Sequence, residues 1–309
     1  MTCSSLHNGL VADSADESSS PRAGSDPMLL NNSVTAYSLL AFQLLGARKS
    51  IAGQLDARPG PTPERTDAQY VDGLASQALL HQAVQHPYLM ALANDELPDT
   101  RWALQDFARQ YYAYSTHFPR FLTAVISKLE DPAHRLALMD NLTEESGQYE
   151  QEELDELAAI GIKSDWIVGL PHPELFRRFR RALGVLDDSS IPESIEMVCW
   201  REQFLAILTN GNAAEALGAL GLGTETIVQT IYQPFVDAIG RIGMHPRDSV
   251  FFPLHTAVDD HHQATLRDIA IDLAATKQGR LDLAKGMQKA LALRCSFWSW
   301  MHQRALQPE

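Results

Sequence analysis

The sequence predicts an all-helical protein. Apolar residues recur at helical spacing in segment after segment, and short breaks rich in proline, glycine, aspartate and asparagine separate these segments. No stretch alternates apolar and polar residues as a half-buried strand would. We therefore expect a single all-helical domain over residues 28–309, preceded by a Ser/Asp/Ala/Gly-rich tail over residues 1–27 that we predict to be disordered.

Each helix is predicted between a start signal and a stop signal. Proline and the residue before it resist helical torsions, so His86-Pro87 interrupts one segment, and Pro98-Asp99-Thr100 and Asp131-Pro132 begin two others. Loops are expected at 58–64, where three prolines and a glycine occur, and at 161–173. The predicted helices are 28–55, 65–94 with its interruption, 101–129, 132–160, 174–186, 192–208, 213–222, 224–242, 248–275 and 281–303.

The overall charge argues against some classes of binding partner. The chain has 25 Lys and Arg against 39 Asp and Glu, so its net charge is −14. Nucleic-acid and anionic-membrane partners require a basic face, and we expect neither. The cysteines, Cys3, Cys199 and Cys295, form no CxxC pair, which is typical of a reducing compartment. No signal peptide and no apolar run long enough to span a membrane are recognised, so we predict a cytoplasmic protein.

The segment FFPLHTAVDDHH, residues 251–262, carries the strongest chemical signal. His255, Asp259 and His262 are spaced by four and then three residues, which places the three side chains on one face of a helix. Imidazole and carboxylate groups together suit iron, manganese or zinc. The neighbouring residues are apolar, and buried polar groups must be paired or ligated. We interpret this helix as half of a metal site rather than a solvated polar face.

Two other segments are candidates for the second half. In QYYAYSTH, Gln110 and His117 lie two helical turns apart, with Asp106 one turn before Gln110. In NLTEESGQ, Glu144 and Glu145 lie among apolar residues. Taken alone, His117 would be interpreted as a core histidine, and one of the two glutamates as surface. Together with the 251–262 helix, these segments offer the ligand types of a dinuclear non-haem site.

Several segments carry a family resemblance. HPYLMALANDELPDTRWALQDFARQYYAYSTHFPRFL, NLTEESG and HPELFRRFRRALG resemble the TenA and PqqC proteins, over roughly residues 67–274. That resemblance implies a haem-oxygenase-like bundle of about seven core helices, with extra N- and C-terminal helices here. The H-x3-D-x2-H pattern is in addition similar to the haem-oxygenase-like diiron oxidases and oxygenases. By that similarity, the implied metal ligands are His117, Glu145, His255, Asp259 and His262.

One position departs from the diiron pattern. The resemblance calls for a glutamate seven residues before His117, where this chain has Gln110. A neutral amide binds iron more weakly than a carboxylate, so Asp106 could substitute for it, or the site could hold a single metal ion. We assign Gln110 and Glu144 to the catalytic surroundings of the metal, with Glu144 as the alternative to Glu145.

The resemblance also implies a reaction. It predicts two Fe(II) ions per chain, O2 as cosubstrate, and oxidation of a small free amino acid by desaturation or C–N ring closure in natural-product biosynthesis. The alternatives are N-oxygenation of an amine, C–C cleavage, and a metal-free TenA- or PqqC-like enzyme. Arg109 and Arg120 are candidates for binding a substrate carboxylate. An electron donor and a homodimeric assembly are the expected partners.

Overall fold

The computed structural model describes residues 65–186, 193–257 and 259–308, without the side chains of residues 257–262. The predicted tail over 1–27, the helix over 28–55 and the loop over 58–64 therefore lie outside the described residues. Within the described ranges the chain consists of helices joined by turns, and no strand occurs. The all-helical prediction is confirmed.

The helices are numbered here in chain order. They are α1 Asp67–Leu79, α2 Pro87–Ala93, α3 Thr100–Ser115, α4 Phe118–Ile126, α5 Pro132–Glu145, α6 Gln151–Ala159, α7 Ser164–Ile167, α8 His172–Ala182, α9 Ile195–Asn210, α10 Ala213–Leu217, a π-helix Gly218–Glu225, α11 Thr226–Arg241, α12 Phe251–Ala257, α13 Asp259–Leu273 and α14 Lys277–Ala305. None of them is long and apolar enough to cross a bilayer.

Side-chain caps explain where many of these helices begin. Thr66 and Gln69 form a reciprocal capping box before α1. Asp99 accepts a hydrogen bond from the Trp102 amide at 2.8 Å before α3, and Asp131 accepts one from the Ala133 amide at 2.7 Å before α5. Such bonds satisfy amide groups that have no partner within the helix, which is why the start signals in the sequence placed these helices correctly.

The predicted helix over 101–129 is wrong as a single element. α3 ends at Ser115, and α4 begins at Phe118 with Pro119 in its first turn. Proline has no amide hydrogen to continue the α3 ladder, but it is accommodated in a first helical turn. His117 therefore lies at the junction, as the residue before α4, and not on the same helix as Gln110.

The predicted helix over 132–160 is also divided. Gly147 has a φ of +84°, a left-handed conformation that favours glycine, and it separates α5 from α6. The Gly169 amide donates to the Gly147 carbonyl at 2.8 Å, so the segment that returns from α6 passes directly against this turn. The predicted loop over 161–173 contains the short helix α7, and α8 begins at its end, at His172.

A π-helix joins two elements that the sequence separated. The predicted helices over 213–222 and 224–242 form one continuous helical stretch, with the π-helix between α10 and α11. Its residues are all buried, and it packs along α14. Gly223 permits this packing, because an added Cβ would lie 2.6 Å from Cβ of Ala290. The wide π-turn is typical of functional sites.

α14 is the central element of the core. Its Trp298 is fully buried and stacks on Tyr88 of α2, while Phe107 of α3 contacts Phe235 of α11 with ring centroids 4.2 Å apart. At the end of α14, Arg304 donates two hydrogen bonds, of 2.6 and 2.8 Å, to the fully buried carboxylate of Asp106. A buried charge needs such a partner, so this ion pair fixes α14 against α3.

Because His86 is buried, we expect the folded protein to lose stability in acid. Burial, and secondarily the charge of His302, lower the pKa of His86 to about 4. The unfolded chain has the ordinary value of about 6.5 and binds a proton first. Stability is therefore fully present above pH 6.5 and is lost as the pH falls towards 4, by about 2 to 3 kcal/mol.

The variant His86→Asn tests this, because Asn keeps the cap that His86 provides to the Tyr88 amide but does not titrate. Urea unfolding at pH 7 and pH 4.5 should show a smaller acid-induced loss for the variant than for the wild type. Equal losses in the two proteins would contradict the prediction.

Candidate metal centre

Three metal-ligating side chains meet where α5, α8 and α12 come together. Glu145 is the last residue of α5, His172 is the first residue of α8, and His255 lies in α12. Each offers one ligand atom, and these atoms all lie within 4.8 Å of one another. Glu145 and His172 are buried and His255 is half-buried. The three side chains form a compact group of the kind that binds a divalent metal ion.

The contact between Glu145 and His172 is not a simple hydrogen bond. Nδ1 of His172 lies 3.1 Å from Oε2 of Glu145. This buried nitrogen nevertheless has no partner in hydrogen-bond geometry. A buried polar atom is normally paired. The arrangement is expected when a carboxylate oxygen and an imidazole nitrogen are directed at a common ion rather than at each other.

The remaining ring nitrogens have partners that orient both imidazoles. Nε2 of His172 lies 2.9 Å from the Tyr149 hydroxyl, and Nδ1 of His255 donates to the Phe251 carbonyl at 2.6 Å. Burial, and then the charges of Glu145 and Glu144, raise the pKa of Tyr149, so its hydroxyl stays protonated and neutral. With a metal ion bound, Nε2–H of His172 would donate to the Tyr149 hydroxyl, and the lone pair on Nδ1 would face the ion beside Glu145. In His255 the lone pair is on Nε2.

A fourth ligand group lines the same cavity. Glu225, the last residue of the π-helix, is 8% exposed and lines a cavity together with Glu145, His172 and His255. The cavity has a volume of about 30 Å³. It holds little more than a water-sized group, since a buried water needs about 10 to 15 Å³ by the same measure. Its other walls carry aromatic rings and the hydroxyls of Ser115 and Thr224.

A buried hydrogen-bonded chain forms the floor of this cavity. The hydroxyls of Tyr111 and Tyr232 are 2.8 Å apart, and Arg294 donates to Tyr111 over 3.2 Å. Tyr232 also packs edge-on against the His255 ring. Burial lowers the pKa of Arg294, but the oxygens of Tyr111, Tyr114 and Tyr232 outweigh it and raise the pKa above its ordinary value. Arg294 therefore stays charged and holds the Tyr111 hydroxyl in the hydrogen-bonded chain.

The structure brings together only part of the predicted ligand set. Glu145 and His255 lie in one group, as the metal-site hypothesis requires. Asp259 is the first residue of α13, and the side chains of Asp259 and His262 lie outside the described residues. Their role as ligands stays a prediction.

His117 is not part of the group. Its Nδ1 donates to the Ala113 carbonyl at 2.8 Å. Burial lowers the pKa of His117 against the opposing effect of that bond, and the charges of Arg201 and Arg120 lower it further while that of Glu193 raises it. The same positive charges disfavour a metal ion there. The sequence spacing suggested a ligand because it assumed one helix from Gln110 to His117, which the junction before α4 interrupts.

The other proposed site residues of α3 and α5 also lie outside the group. Asp106 is held by Arg304, and Gln110 bridges Asp106 and Ser194 through bonds of 3.3 and 2.9 Å. Glu144 is half-buried, and it is Glu145, not Glu144, that joins the two histidines. Arg109 and Arg120, considered for a substrate carboxylate, are exposed and are not among the described residues that line the cavity.

Two site residues were missed from the sequence. His172 lies in HPELFRRF, a segment that carried the resemblance, but the preceding stretch was interpreted as a loop. Its histidine directly before a proline at a helix start was the available signal. Glu225 is the one acid between residues 216 and 236 of a glycine-rich apolar run, GALGLGTETIV. A single carboxylate in such a run should have been examined as a buried ligand.

Comparison with known families shows to which family of enzymes the chain belongs. The model of a family described as iron-containing redox enzymes matches residues 105–295, which is more than half of the chain and includes Glu145, His172, Glu225 and His255. The chain belongs to this iron-containing redox enzyme family. The predicted resemblance and the predicted enzyme class are therefore confirmed.

Two curated relatives of this iron-containing redox enzyme are 4-aminobenzoate synthases. One, from Chlamydia muridarum, is 26% identical over 182 residues, which are 58% of this chain and 68% of the relative. The other, from Chlamydia trachomatis, is 28% identical over 113 residues, which are 37% of each chain.

Solved structures confirm the fold of this family member. A CADD-like protein of unknown function from Nostoc punctiforme superposes with a TM-score of 0.60 at 17% identity, over 77% of this chain and 99% of the other. A TenA homologue from Pseudomonas syringae gives 0.57 at 14% identity, over 80% and 98%. A domain described as having a heme oxygenase-like fold, from Shewanella denitrificans, gives 0.52 at 16% identity, over 76% and 90%. The predicted haem-oxygenase-like fold is correct.

The residues at the centre fit the iron that defines the family. Two imidazoles and two carboxylates are ligand types that suit a borderline metal such as iron. The unsatisfied Nδ1 of His172 and the oriented ring of His255 supply lone pairs, and Glu145 and Glu225 supply negative charge beside them. When bound, the iron would supply the redox chemistry, and these side chains would hold it and leave room for a small ligand.

The Tyr149 hydroxyl should contribute to iron affinity through His172. In Tyr149→Phe, Nε2 of His172 loses its hydrogen-bond partner, so the ring is no longer fixed with Nδ1 towards Glu145. We expect an iron affinity about 10- to 100-fold weaker, with an unchanged helix content. Competition with a chelator measures the affinity.

Tyr70→Phe is the matched control, because it removes one tyrosine hydrogen bond, to the Arg280 carbonyl, away from the centre. Equal iron affinity in Tyr149→Phe and the wild type would show that Tyr149 does not orient the ligand.

Proposed function

We propose that this protein is an O2-dependent iron oxidase that acts on a small free amino acid and holds two irons per chain. The observation that carries the proposal is the convergence of Glu145, His172 and His255, whose ligand atoms lie within 4.8 Å of one another. Membership of the iron-containing redox enzyme family supplies the identity of the metal.

The number of ligands supports two irons rather than one. Four described side chains line one cavity: Glu145, His172, Glu225 and His255. Asp259 and His262 follow His255 at helical spacing and add a carboxylate and an imidazole if α13 continues the direction of α12. Six carboxylate and imidazole ligands in total is the number that helical dinuclear carboxylate centres use, with three of each type here in place of four carboxylates and two imidazoles. The sequence analysis had included His117 in this set and had expected an acidic ligand where the chain has Gln110. In the present proposal, His172 replaces His117 and Glu225 supplies the missing carboxylate.

The cavity walls support a small, partly apolar substrate. Apart from the ligand groups, the lining consists of aromatic and aliphatic side chains and of the hydroxyls of Ser115 and Thr224. A volume of about 30 Å³ does not hold a whole amino acid, so the proposal requires the walls to move apart on substrate binding, with the apolar chain then against the rings and a polar end near the hydroxyls. Desaturation or C–N ring closure of its side chain is the leading reaction, as the family resemblance implies, and N-oxygenation or C–C cleavage are its alternatives.

A second candidate reaction is formation of 4-aminobenzoate. Two relatives of this chain carry that activity in their names, and one of them aligns over 68% of its own length. An aromatic amino acid as product would contact the tyrosine and phenylalanine rings that line the cavity once its walls have moved apart. The identity of 26% is too low to transfer the activity without a test.

The experiment is an anaerobic titration with Fe(II), followed by an O2 pulse in the presence of a panel of free amino acids. Iron bound per chain, transient visible absorbance and the products by mass spectrometry, including 4-aminobenzoate, are recorded. We expect two irons per chain and an absorbance transient with one class of amino acid.

Each outcome separates the candidates. 4-Aminobenzoate as the product would establish the second reaction in place of the first. One iron per chain would remove the dinuclear centre but keep the oxidase. Absence of iron binding would overturn the proposal and return the protein to the metal-free TenA- and PqqC-like enzymes.

A further inference from the structure

A second cavity lies between α9 and α14, apart from the metal centre. It has a volume of about 350 Å³, and it shares no lining residue with the cavity around Glu145 and His255. This volume is within the range of small-molecule sites. The lining residues are Gln203, Ala206, Ile207, Asn210, Gly211, Glu215, Lys285, Lys289 and Leu293.

The charges in this cavity are arranged around one buried carboxylate. Glu215 is 5% exposed, and its two oxygens accept separate hydrogen bonds of 2.6 Å, one from Lys285 and one from Lys289. One lysine would be sufficient to neutralise Glu215. The second leaves a net charge of +1 in a protein whose overall charge is −14, so the cavity attracts an anion.

Unused hydrogen-bonding groups face this charge. An ammonium group has three donors. Among the described residues, Glu215 is the hydrogen-bond partner of each lysine, which leaves two donors on each. The amide side chains of Gln203 and Asn210 line the same cavity. Ammonium and amide groups that line one cavity can donate to the two oxygens of a carboxylate.

Part of the cavity lining is apolar. Ile207 and Leu293 are buried core residues that also line the cavity, and Ala206 lies beside them. A hydrated inorganic anion would gain nothing from this wall, whereas the body of an organic acid would bury apolar surface there. Leu293 lies one turn after Lys289 on α14, and Ile207 lies between Gln203 and Asn210 on α9, so donors and aliphatic side chains are neighbours that suit an amphipathic ligand.

We propose that this cavity binds a small organic carboxylate, with its carboxylate on Lys285 and Lys289 and its apolar body against Ile207 and Leu293.

The test is calorimetric titration of the full-length, iron-loaded protein with benzoate at constant ionic strength. Benzamide, which is neutral and of the same shape, and inorganic phosphate are titrated in parallel. We expect benzoate to bind at least 10-fold more tightly than either. Absence of benzoate binding, equal binding of benzamide, or equal binding of phosphate would each overturn the proposal.

Variants locate the binding. Lys289→Gln keeps one lysine for Glu215 and removes the extra charge, so benzoate affinity should fall at least 10-fold. Lys277→Gln, an exposed lysine on the same helix outside the cavity, should leave it unchanged. His255→Ala removes a metal ligand and should also leave benzoate affinity unchanged. If benzoate affinity instead fell in His255→Ala and not in Lys289→Gln, the anion would be binding at the iron, and the proposal would be wrong.

Discussion

Replacing His172 with alanine should abolish stable iron binding. The substitution removes one of the three ligands of the group, the imidazole whose Nδ1 lies 3.1 Å from Oε2 of Glu145. Loss of an orienting partner alone costs about 10- to 100-fold in metal affinity, so loss of the ligand itself should exceed ~100-fold. Metal analysis after desalting, together with O2-dependent turnover, measures the effect.

His117→Ala is the matched control. Both residues are histidines beside a helix start, and both precede a proline by one or two positions. His117 binds the Ala113 carbonyl and has cationic neighbours, so its loss should leave iron content unchanged. If His117→Ala lost iron and His172→Ala retained it, the ligand set implied by the sequence resemblance would be correct and the structural one wrong.

Gly147→Ala should disrupt both the fold and the metal centre. At a φ of +84°, any residue with a Cβ is strained by about 1 to 2 kcal/mol. The new Cβ would also lie 2.6 Å from backbone atoms of Leu170, and such overpacking costs about 1 to 3 kcal/mol more. We expect a loss of about 2 to 5 kcal/mol in unfolding free energy. Because Gly147 separates Glu145 from the segment leading to His172, iron affinity should fall as well.

Gly161→Ala separates the conformational cost of a positive φ from the cost of overpacking. Gly161 has a similar φ of +89°, but nothing lies within 4 Å of its added Cβ. It should therefore show only the conformational cost and normal iron binding. Urea unfolding and iron titration of the two variants make the comparison. Equal behaviour of both would show that the close approach of Leu170 to Gly147 does not constrain the centre.

Local signals were sufficient for most helix boundaries. The capping residues Asp99 and Asp131 lie where the sequence placed the starts of α3 and α5. The errors occurred where a break depends on a distant contact or on a single residue. Gly147 turns the chain because the 169–170 segment packs against it, and no pattern within residues 132–160 reveals that contact.

The residues of the candidate centre also fall into two groups, those found from the sequence and those found only in the structure. His255 was found because its ligand spacing, 255-259-262, is local and lies on one apolar helix. Glu145 was found through the resemblance. His172 and Glu225 come from α8 and the π-helix, and they meet Glu145 and His255 only through packing.

The sequence alone determined the helical class and an iron-type ligand pattern, because helical periodicity, caps and i,i+4 spacing are properties of neighbouring residues, and the resemblance of several segments to a known family implied the haem-oxygenase-like fold. Only the tertiary structure decided which histidine and which carboxylates complete the centre. Ligands that converge from different helices are selected by distance in space, so His172 belongs to the centre and His117 does not.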